Sequence, residues 1–209
     1  GLRVAADEEA LPFAAASFDL VVSLLSLHWV NDLPGALLQI RRVLKPDGLF
    51  LAAMLGGATL GELRQAMSAA EIACEGGLSP RVSPFADARA AGNLLQRAGF
   101  ALAVADAESV PVSYPEPLAL LKDLRGMGET NAALGRRRSL SRRATLLAAL
   151  QRYQEQFADA DGRVPATFQL IYLTGWAPHP DQPQALRPGS AGGRLAEALA
   201  PPAPAGDHP

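Results

Sequence analysis

The chain has 209 residues, 49% of them hydrophobic and 19% charged, with a formal net charge of −2. This is enough apolar length for one domain with a real core, the near-neutral charge leaves no electrostatic footprint for nucleic acid, and no apolar run reaches the ~20 residues of a membrane span. A single cysteine, Cys74, excludes an internal disulfide and points to a reducing compartment. In chain order, residues 2–6 (LRVAA) read as a short strand that ends at Asp7. Phe18 to Leu27 (FDLVVSLLSL) is a nearly unbroken apolar run of strand length, the pattern of a parallel strand covered on both faces. Asn31 to Lys45 then places Leu33, Leu37, Ile40 and Leu44 at helical spacing, with Asn31 or Asp32 as N-cap and Pro34 in the first turn. Lys45-Pro46-Asp47-Gly48 stops that helix, and LFLAAML (49–55) follows as a second buried strand. Two parallel strands joined by a crossover helix are the economical reading.

Ligands of open parallel sheets gather beyond the carboxyl ends of the strands. Ser26, Leu27, His28 and Trp29, and then Gly56, Gly57 and Thr59, therefore face any site. An imidazole at such a mouth can orient a substrate or act as a general base, and Trp29 can wall it; the alternative is that both simply pack. Thr59-Leu60-Gly61-Glu62 has the form of a capping box. It opens a helix to about Glu75, with Leu60, Leu63 and Met67 inward and Arg64 in the second turn. Glu75 to Phe85, with two glycines and two prolines, reads as a lid whose candidate contacts are Ser79, Arg81, Ser83 and Phe85. Asp87 caps the next helix, in which Leu94 and Leu95 point inward, and Gly99 ends it. Phe100 to Val112 reads as a strand. Helices over about 117–125 and 141–157 follow, separated by GMGETNAALGRRRSLSRR. Its arginines at 136, 137, 138, 142 and 143 suit either an acidic partner or a solvated loop. Ala166 to Trp176 is a β-branched, aromatic strand, and beyond Pro178 the composition is that of a disordered tail.

Several of these stretches carry a resemblance. LPF (11–13), SFDLVVS (17–23), SLHW (26–29) and RRVLKP-x-G (41–48) are similar to the middle of class I methyltransferases that use S-adenosylmethionine. GGATLGELRQAMSAAE, GGLSPRVSPF, DLRGMGETN and VPATFQLIYLTGWAPH narrow the likeness to the complex I assembly factor branch, associated with arginine hydroxylation in mitochondria and related bacteria. The resemblance implies an α/β, doubly wound, Rossmann-like sheet, mostly parallel with one antiparallel strand. The family's strand order is 3-2-1-4-5-7-6, and the first two strands are lacking here. Residues 1–177 are then the C-terminal part of a methyltransferase-like domain, with a helical insert at about 115–160 and a tail at 178–209.

The likeness also implies site residues. Asp7 and Glu8 meet the adenine of S-adenosylmethionine, with Ser26 and Leu27 beside it; on residues alone, both acids also read as a turn cap and a solvated side chain. His28 is the catalytic candidate. Trp29, Thr59, Arg81, Met127, Glu129 and Asn131 are the substrate-binding candidates, and no metal is expected, because the folded part offers no second histidine for an iron site. The family's glycine-rich G-x-G-x-G loop has no counterpart in the sequence. Two absent strands would leave a gap of about 14 Å between residues 2–6 and 18–27. Three outcomes resolve it: the chain is a C-terminal portion of a longer enzyme that alone binds the cofactor weakly or not at all, residues 2–6 shift to pair beside 18–27, or 18–27 is an exposed apolar edge.

Three functions are compatible with this reading: modification of a protein arginine, with a complex I subunit as partner; O-methylation of a small molecule or acyl carrier; and a non-catalytic binding module. GMGETN favours the first. The expected location is the bacterial cytoplasm or the mitochondrial matrix.

Overall fold

The computed structural model describes residues 3–133 and 135–183. The chain divides into two units, Gly1–Pro178 and His179–Pro209. Most of the expected tail lies outside the described residues. In its described start the His179 amide donates to Gln182 Oε1 (3.2 Å) and His179 Nδ1 accepts from the Asp181 amide (3.2 Å).

The first unit is built from β1 (Phe18–Leu24), α1 (Leu33–Val43), β2 (Leu44–Leu55), α2 (Gly61–Glu75), α3 (Ala88–Arg97), β3 (Ala101–Tyr114), α4 (Pro117–Met127), α5 (Arg143–Phe157) and β4 (Val164–Trp176). The sheet order is β1-β2-β4-β3. β1 and β2 are parallel, with α1 as their crossover, and β4 runs antiparallel between β2 and β3. This is the predicted mixed α/β sheet with its single reversed strand. No described helix is long and apolar enough to cross a membrane.

Asp32 is the N-cap of α1, its Oδ1 accepting from the Gly35 amide at 2.9 Å, and Pro34 sits in the first turn. Asp87 caps α3 in the same way through the Ala90 amide (2.7 Å). On one face of the sheet, Leu37 and Ile40 of α1 and Ala91 and Leu95 of α3 close over Phe50, Ala52, Met54, Ile171 and Leu173. A second core forms where β3 and β4 run on past the end of β2. There Leu63 and Ala66 of α2, Leu120 and Leu124 of α4, and Tyr153 of α5 pack on Tyr114, Val164 and Ala166.

Four sequence expectations are corrected. Residues 3–6 form no strand, and the acids after them fold back as an isolated bridge between Asp7 and Ala10. β1 stops at Leu24, and Leu27–Trp29 is a short 3-10 turn, because Leu25 takes a left-handed φ of +51° that ends the extended run. The Lys45–Gly48 turn lies inside β2 as a bulge: Asp47 has φ +63°, and the pairing jumps from Phe18↔Leu44 to Leu20↔Leu49. The capping box does not form. Leu60 is the N-cap of α2, in a left-handed conformation without a side-chain cap. Thr59 Oγ1 instead donates to the Gln169 carbonyl (3.2 Å) and accepts its amide (3.1 Å), while Glu62 accepts from the Thr167 hydroxyl and amide. A neighbouring strand with free backbone groups outcompetes the helix's own first turn.

The fifth difference concerns coverage. β1 is an edge strand, and the face of the sheet turned away from α1 and α3 is open over β1, β2 and the adjoining parts of β4 and β3, beyond the stretch that the second core covers. Leu20, Val22 and Leu24 are 50%, 51% and 72% exposed, and Leu51, Tyr172 and Val104 are 36%, 40% and 56% exposed. The register sets Val22 beside Leu51, Leu51 beside Thr174 and Thr174 beside Val104, so these exposures join into one apolar surface across four strands. The exposed apolar edge is present, and residues 3–6 do not shift to pair beside β1. Patches of this extent bind hydrophobic dyes and neighbouring chains. For the double variant V22K/L24K, dye fluorescence with anilinonaphthalene sulfonate is expected to fall sharply with unchanged far-ultraviolet circular dichroism. Equal fluorescence would mean that this face is covered in solution.

Candidate functional site

The two cores leave a cleft between the carboxyl ends of β1 and β2 and the end of the β3–β4 pair where Tyr114 meets Val164. Leu27 enters the core at 1% exposure and anchors the 3-10 turn. It thereby fixes its neighbours. The His28 side chain is 1% exposed, stands edge-on to Phe85 (centroids 5.6 Å) and lies beside Trp29 (5.5 Å). At the end of β2, Gly56 is required by the close approach of β4: a Cβ there would fall 2.6 Å from Gln169 Oε1 and 2.8 Å from Ile171. Thr59 beyond it is wholly buried.

The remaining wall comes from the GMGETN stretch. Gly128, with φ +81°, terminates α4, and the Glu129 amide returns to the Leu124 carbonyl (2.9 Å), the reversal for which a glycine C-cap is suited. That reversal carries Glu129 to His28, Nε2 to Oε1 at 3.2 Å, across 101 residues of chain. An ionised carboxylate only accepts, so His28 Nε2 carries the proton of this bond, and the buried Nδ1 has no partner among the described residues.

Two cavities meet at Glu129. The smaller, about 320 Å³, is lined by Leu55, Thr59, Leu63, Phe85, Glu129 and Asn131 among others. The larger, about 630 Å³, is bounded by Leu25, Trp29, Tyr114, Met127, Phe168 and Glu129 with further apolar residues, and Glu129 alone of its lining carries a charge. A single carboxylate among aromatic and aliphatic walls is the profile of a receptor for a long-stemmed cation. Trp29 and Met127, 41% and 57% exposed, stand at its rim.

The structure thus brings Trp29, Thr59, Arg81, Met127, Glu129 and Asn131 to the walls of these two cavities, with differing occupations, and buries His28 behind Glu129, where it lines neither. Arg81 and Asn131 line the smaller cavity but are committed to holding its walls. Asn131 Nδ2 donates to the Pro80 carbonyl (2.7 Å) and its Oδ1 accepts from the Ala133 amide (3.0 Å). Arg81 pairs with Glu71 (2.7 Å) and donates to the Ser141 hydroxyl (2.8 Å). Glu71, 4% exposed, was not singled out by the sequence, yet it organises the lid. It accepts from the Ser79 amide (2.8 Å) and hydroxyl (2.7 Å) as well as from Arg81. Burial alone would raise its pKa, but the bonds from Arg81 and Ser79 outweigh it and hold the carboxyl at about 2. Glu75, a turn further on, is held below the ordinary carboxylate range by hydrogen bonds from Thr145 and Arg137. Of the five arginines, Arg137 and Arg142 therefore answer Glu75 of the same chain.

At the N-terminal edge, Asp7 Oδ1 accepts from the Glu9 amide (2.9 Å), and Glu8 Oε1 accepts from Ser26 Oγ (3.1 Å) at the carboxyl end of β1. Glu9 accepts from the Asn31 (2.6 Å) and Asp32 (3.1 Å) amides and ties this edge to the start of α1. Asp7 and Glu8 are exposed acceptors suited to the amino and hydroxyl groups of a nucleoside. The sequence offers no glycine-rich cradle for the methionine part of S-adenosylmethionine, so the residues present fit one edge of that cofactor. Among the described residues, no three His, Cys, Asp or Glu side chains converge as a metal would need.

A βαβ crossover with a reversed strand inserted between the last two, and a cleft at the strand ends, define the class I methyltransferase fold. Two solved structures share it. A Bacillus halodurans protein assigned to the methyltransferases superposes with a TM-score of 0.52 at 13% identity, covering 83% of this chain and 76% of its own. The YcgJ protein of Bacillus subtilis gives 0.51 at 16% identity, covering 83% and 70%. A family model described as a methyltransferase domain matches residues 2–52. Over that span the chain is similar to this superfamily, and its fold is shared with these two structures.

Its sequence is similar in particular to the mitochondrial arginine-hydroxylase NDUFAF5. The Danio rerio protein is 52% identical over 188 residues, which cover 90% of this chain and 58% of the relative. The Homo sapiens protein is 52% identical over 190 residues, covering 91% and 55%. A malonyl-[acyl-carrier protein] O-methyltransferase of Gallionella capsiferriformans is more distant, at 39% over 181 residues, covering 86% and 59%. The chain spans a little over half the length of these curated relatives.

Proposed function

We propose that this chain forms the acceptor side of a methyltransferase-fold enzyme that modifies an arginine side chain on a partner protein, a complex I subunit being the first candidate. The observation that carries the reading is the larger cavity, in which Glu129 supplies one carboxylate to an otherwise uncharged aromatic and aliphatic wall. A guanidinium on a three-carbon stem matches that wall in charge and shape. A malonyl carboxylate entering the same cavity would meet like charge. The similarity to proteins named arginine-hydroxylase supports the same conclusion. S-adenosylmethionine is the cofactor its class implies, with Asp7, Glu8, Ser26 and the backbone at Leu27 along its edge and His28 and Glu129 on the acceptor side. The mitochondrial location in these relatives' names supports the mitochondrial matrix or, in a bacterium, the cytoplasm as the protein's location.

Mass spectrometry of complex I subunits from a strain lacking the gene tests this. One arginine is expected to lose either the mass of one oxygen, if it is hydroxylated by dioxygen with an external two-electron donor, or that of one methylene, if S-adenosylmethionine methylates it, and the loss is restored by the wild-type gene and not by Glu129→Gln. An unchanged arginine spectrum with a lost carboxyl methyl ester on an acyl carrier would establish the O-methyltransferase reading instead. Unchanged spectra with depleted complex I would establish a binding module.

A further inference from the structure

A further hollow of about 530 Å³, adjoining the smaller cavity through Arg81, Val82 and Phe85, is bounded by Gly57, Arg64, Ser68 and residues of the 78–85 loop. It contains no aspartate or glutamate in its lining, and it carries two arginines, Arg64 and Arg81. Arg81 is neutralised by Glu71 at 2.7 Å. Arg64 is not neutralised. Its half-buried guanidinium donates to the carbonyl oxygens of Gly57 (3.3 Å) and Thr59 (3.2 Å), and among the described residues no carboxylate comes within ion-pair distance of it.

Carbonyls orient a guanidinium without cancelling its charge. A partly buried cation normally has an anion beside it, and Arg64 keeps further donors free beyond the two used. Ser68, four residues on, lies on the same face of α2 and opens to the same hollow. Opposite them Leu78, Pro80, Val82 and Pro84 form an apolar wall. The volume falls in the range of small-molecule sites.

We infer that Arg64 and Ser68 form an oxyanion-binding site for a carboxylate or phosphate carried on an organic stem. The guanidinium, oriented by the Gly57 and Thr59 carbonyls, meets the anion, Ser68 adds a hydroxyl, and the proline-rich loop takes the stem. This assignment rests on the local charge imbalance and is independent of the reading of Glu129.

Calorimetric titration of the chain with inorganic phosphate and with malonate, against sodium chloride at matched ionic strength, is the test. Saturable binding of at least one anion is expected. Arg64→Gln, whose amide retains a donor for the two carbonyls, should weaken it roughly tenfold or more. Ser68→Glu leaves Arg64 in place and sets a carboxylate beside it, and should abolish binding. This second variant decides the matter if circular dichroism shows that Arg64→Gln does not fold. Binding of phosphate alone identifies a phosphoryl ligand, and binding of malonate alone a carboxylate. The assignment is overturned if neither anion saturates above the chloride control, or if Ser68→Glu binds as the wild type does.

Discussion

Replacing Glu71 with glutamine is expected to destabilise the fold by about 3 kcal/mol, the scale for removing one member of a buried ion pair. The glutamine is isosteric, but it leaves the Arg81 guanidinium, 9% exposed, without its 2.7 Å partner. Arg81 Nε already lacks a partner, and Glu75 at 3.8 Å is too distant to replace Glu71 fully. The same residue sets the acid limit of the protein. Its carboxyl is lowered from 4.5 to about 2 on folding, so its contribution is complete above pH 4.5 and is lost as pH falls from there towards 2. Linkage gives that contribution a size of roughly 3 kcal/mol. Glu75, shifted in the same direction, adds to the same limb. Chemical denaturation across pH 2 to 7 should show wild-type stability falling steeply below pH 4.5, and the fall should be much shallower in Glu71→Gln. Parallel curves for the two proteins would mean that Glu71 is not the paired carboxylate described.

The second large effect is expected at Glu129. A peptide containing arginine should bind the protein, and Glu129→Gln should weaken it by about thirtyfold or more, the consequence of losing ~2 kcal/mol or more when a partly buried charge pair is truncated. The same peptide with citrulline, neutral and nearly isosteric, should bind the wild type as poorly as the arginine peptide binds the variant. His28 acts here through Glu129. His28→Gln retains an amide donor for the carboxylate and should recover part of the affinity that His28→Ala loses. Equal affinity for arginine and citrulline peptides would remove the cation site altogether. The measurement also separates this site from Arg64, because phosphate or malonate binding should be unaffected by Glu129→Gln.

The lid explains why the two effects are linked. Arg81 and Asn131 hold the 76–87 loop to the segment after α4, and Glu129 stands on that same segment. Loss of Glu71 loosens the wall on which the Glu129 carboxylate is carried.

Much of the scaffold was legible in the sequence because it is written in local periodicity. Leu37 and Ile40, recurring at helical spacing, face the core as read. Asp32 and Asp87 cap the helices that their positions announced. The glycine of GMGETN marks a helix end, and Glu129 lines the cavities as expected, whereas His28 lies buried behind it. Their contact was not, since nothing local relates positions 101 apart. Thr59 and Glu62 show the converse failure. Their spacing is that of a capping box, yet both are claimed by Gln169 and Thr167 of β4, partners invisible to a four-residue window.

By itself, then, the sequence determined most of the helices and strands, their order and the crossover between β1 and β2, because hydrophobic period and turn chemistry act over a few residues; the reversal of the last strand was implied only by the family resemblance. Tertiary structure alone decided which apolar side chains are covered, which acids are buried and what each arginine meets. The uncovered face of β1, the buried Glu71 and the unpaired Arg64 depend on what another element does or does not bring alongside, and burial and pairing are properties of that encounter.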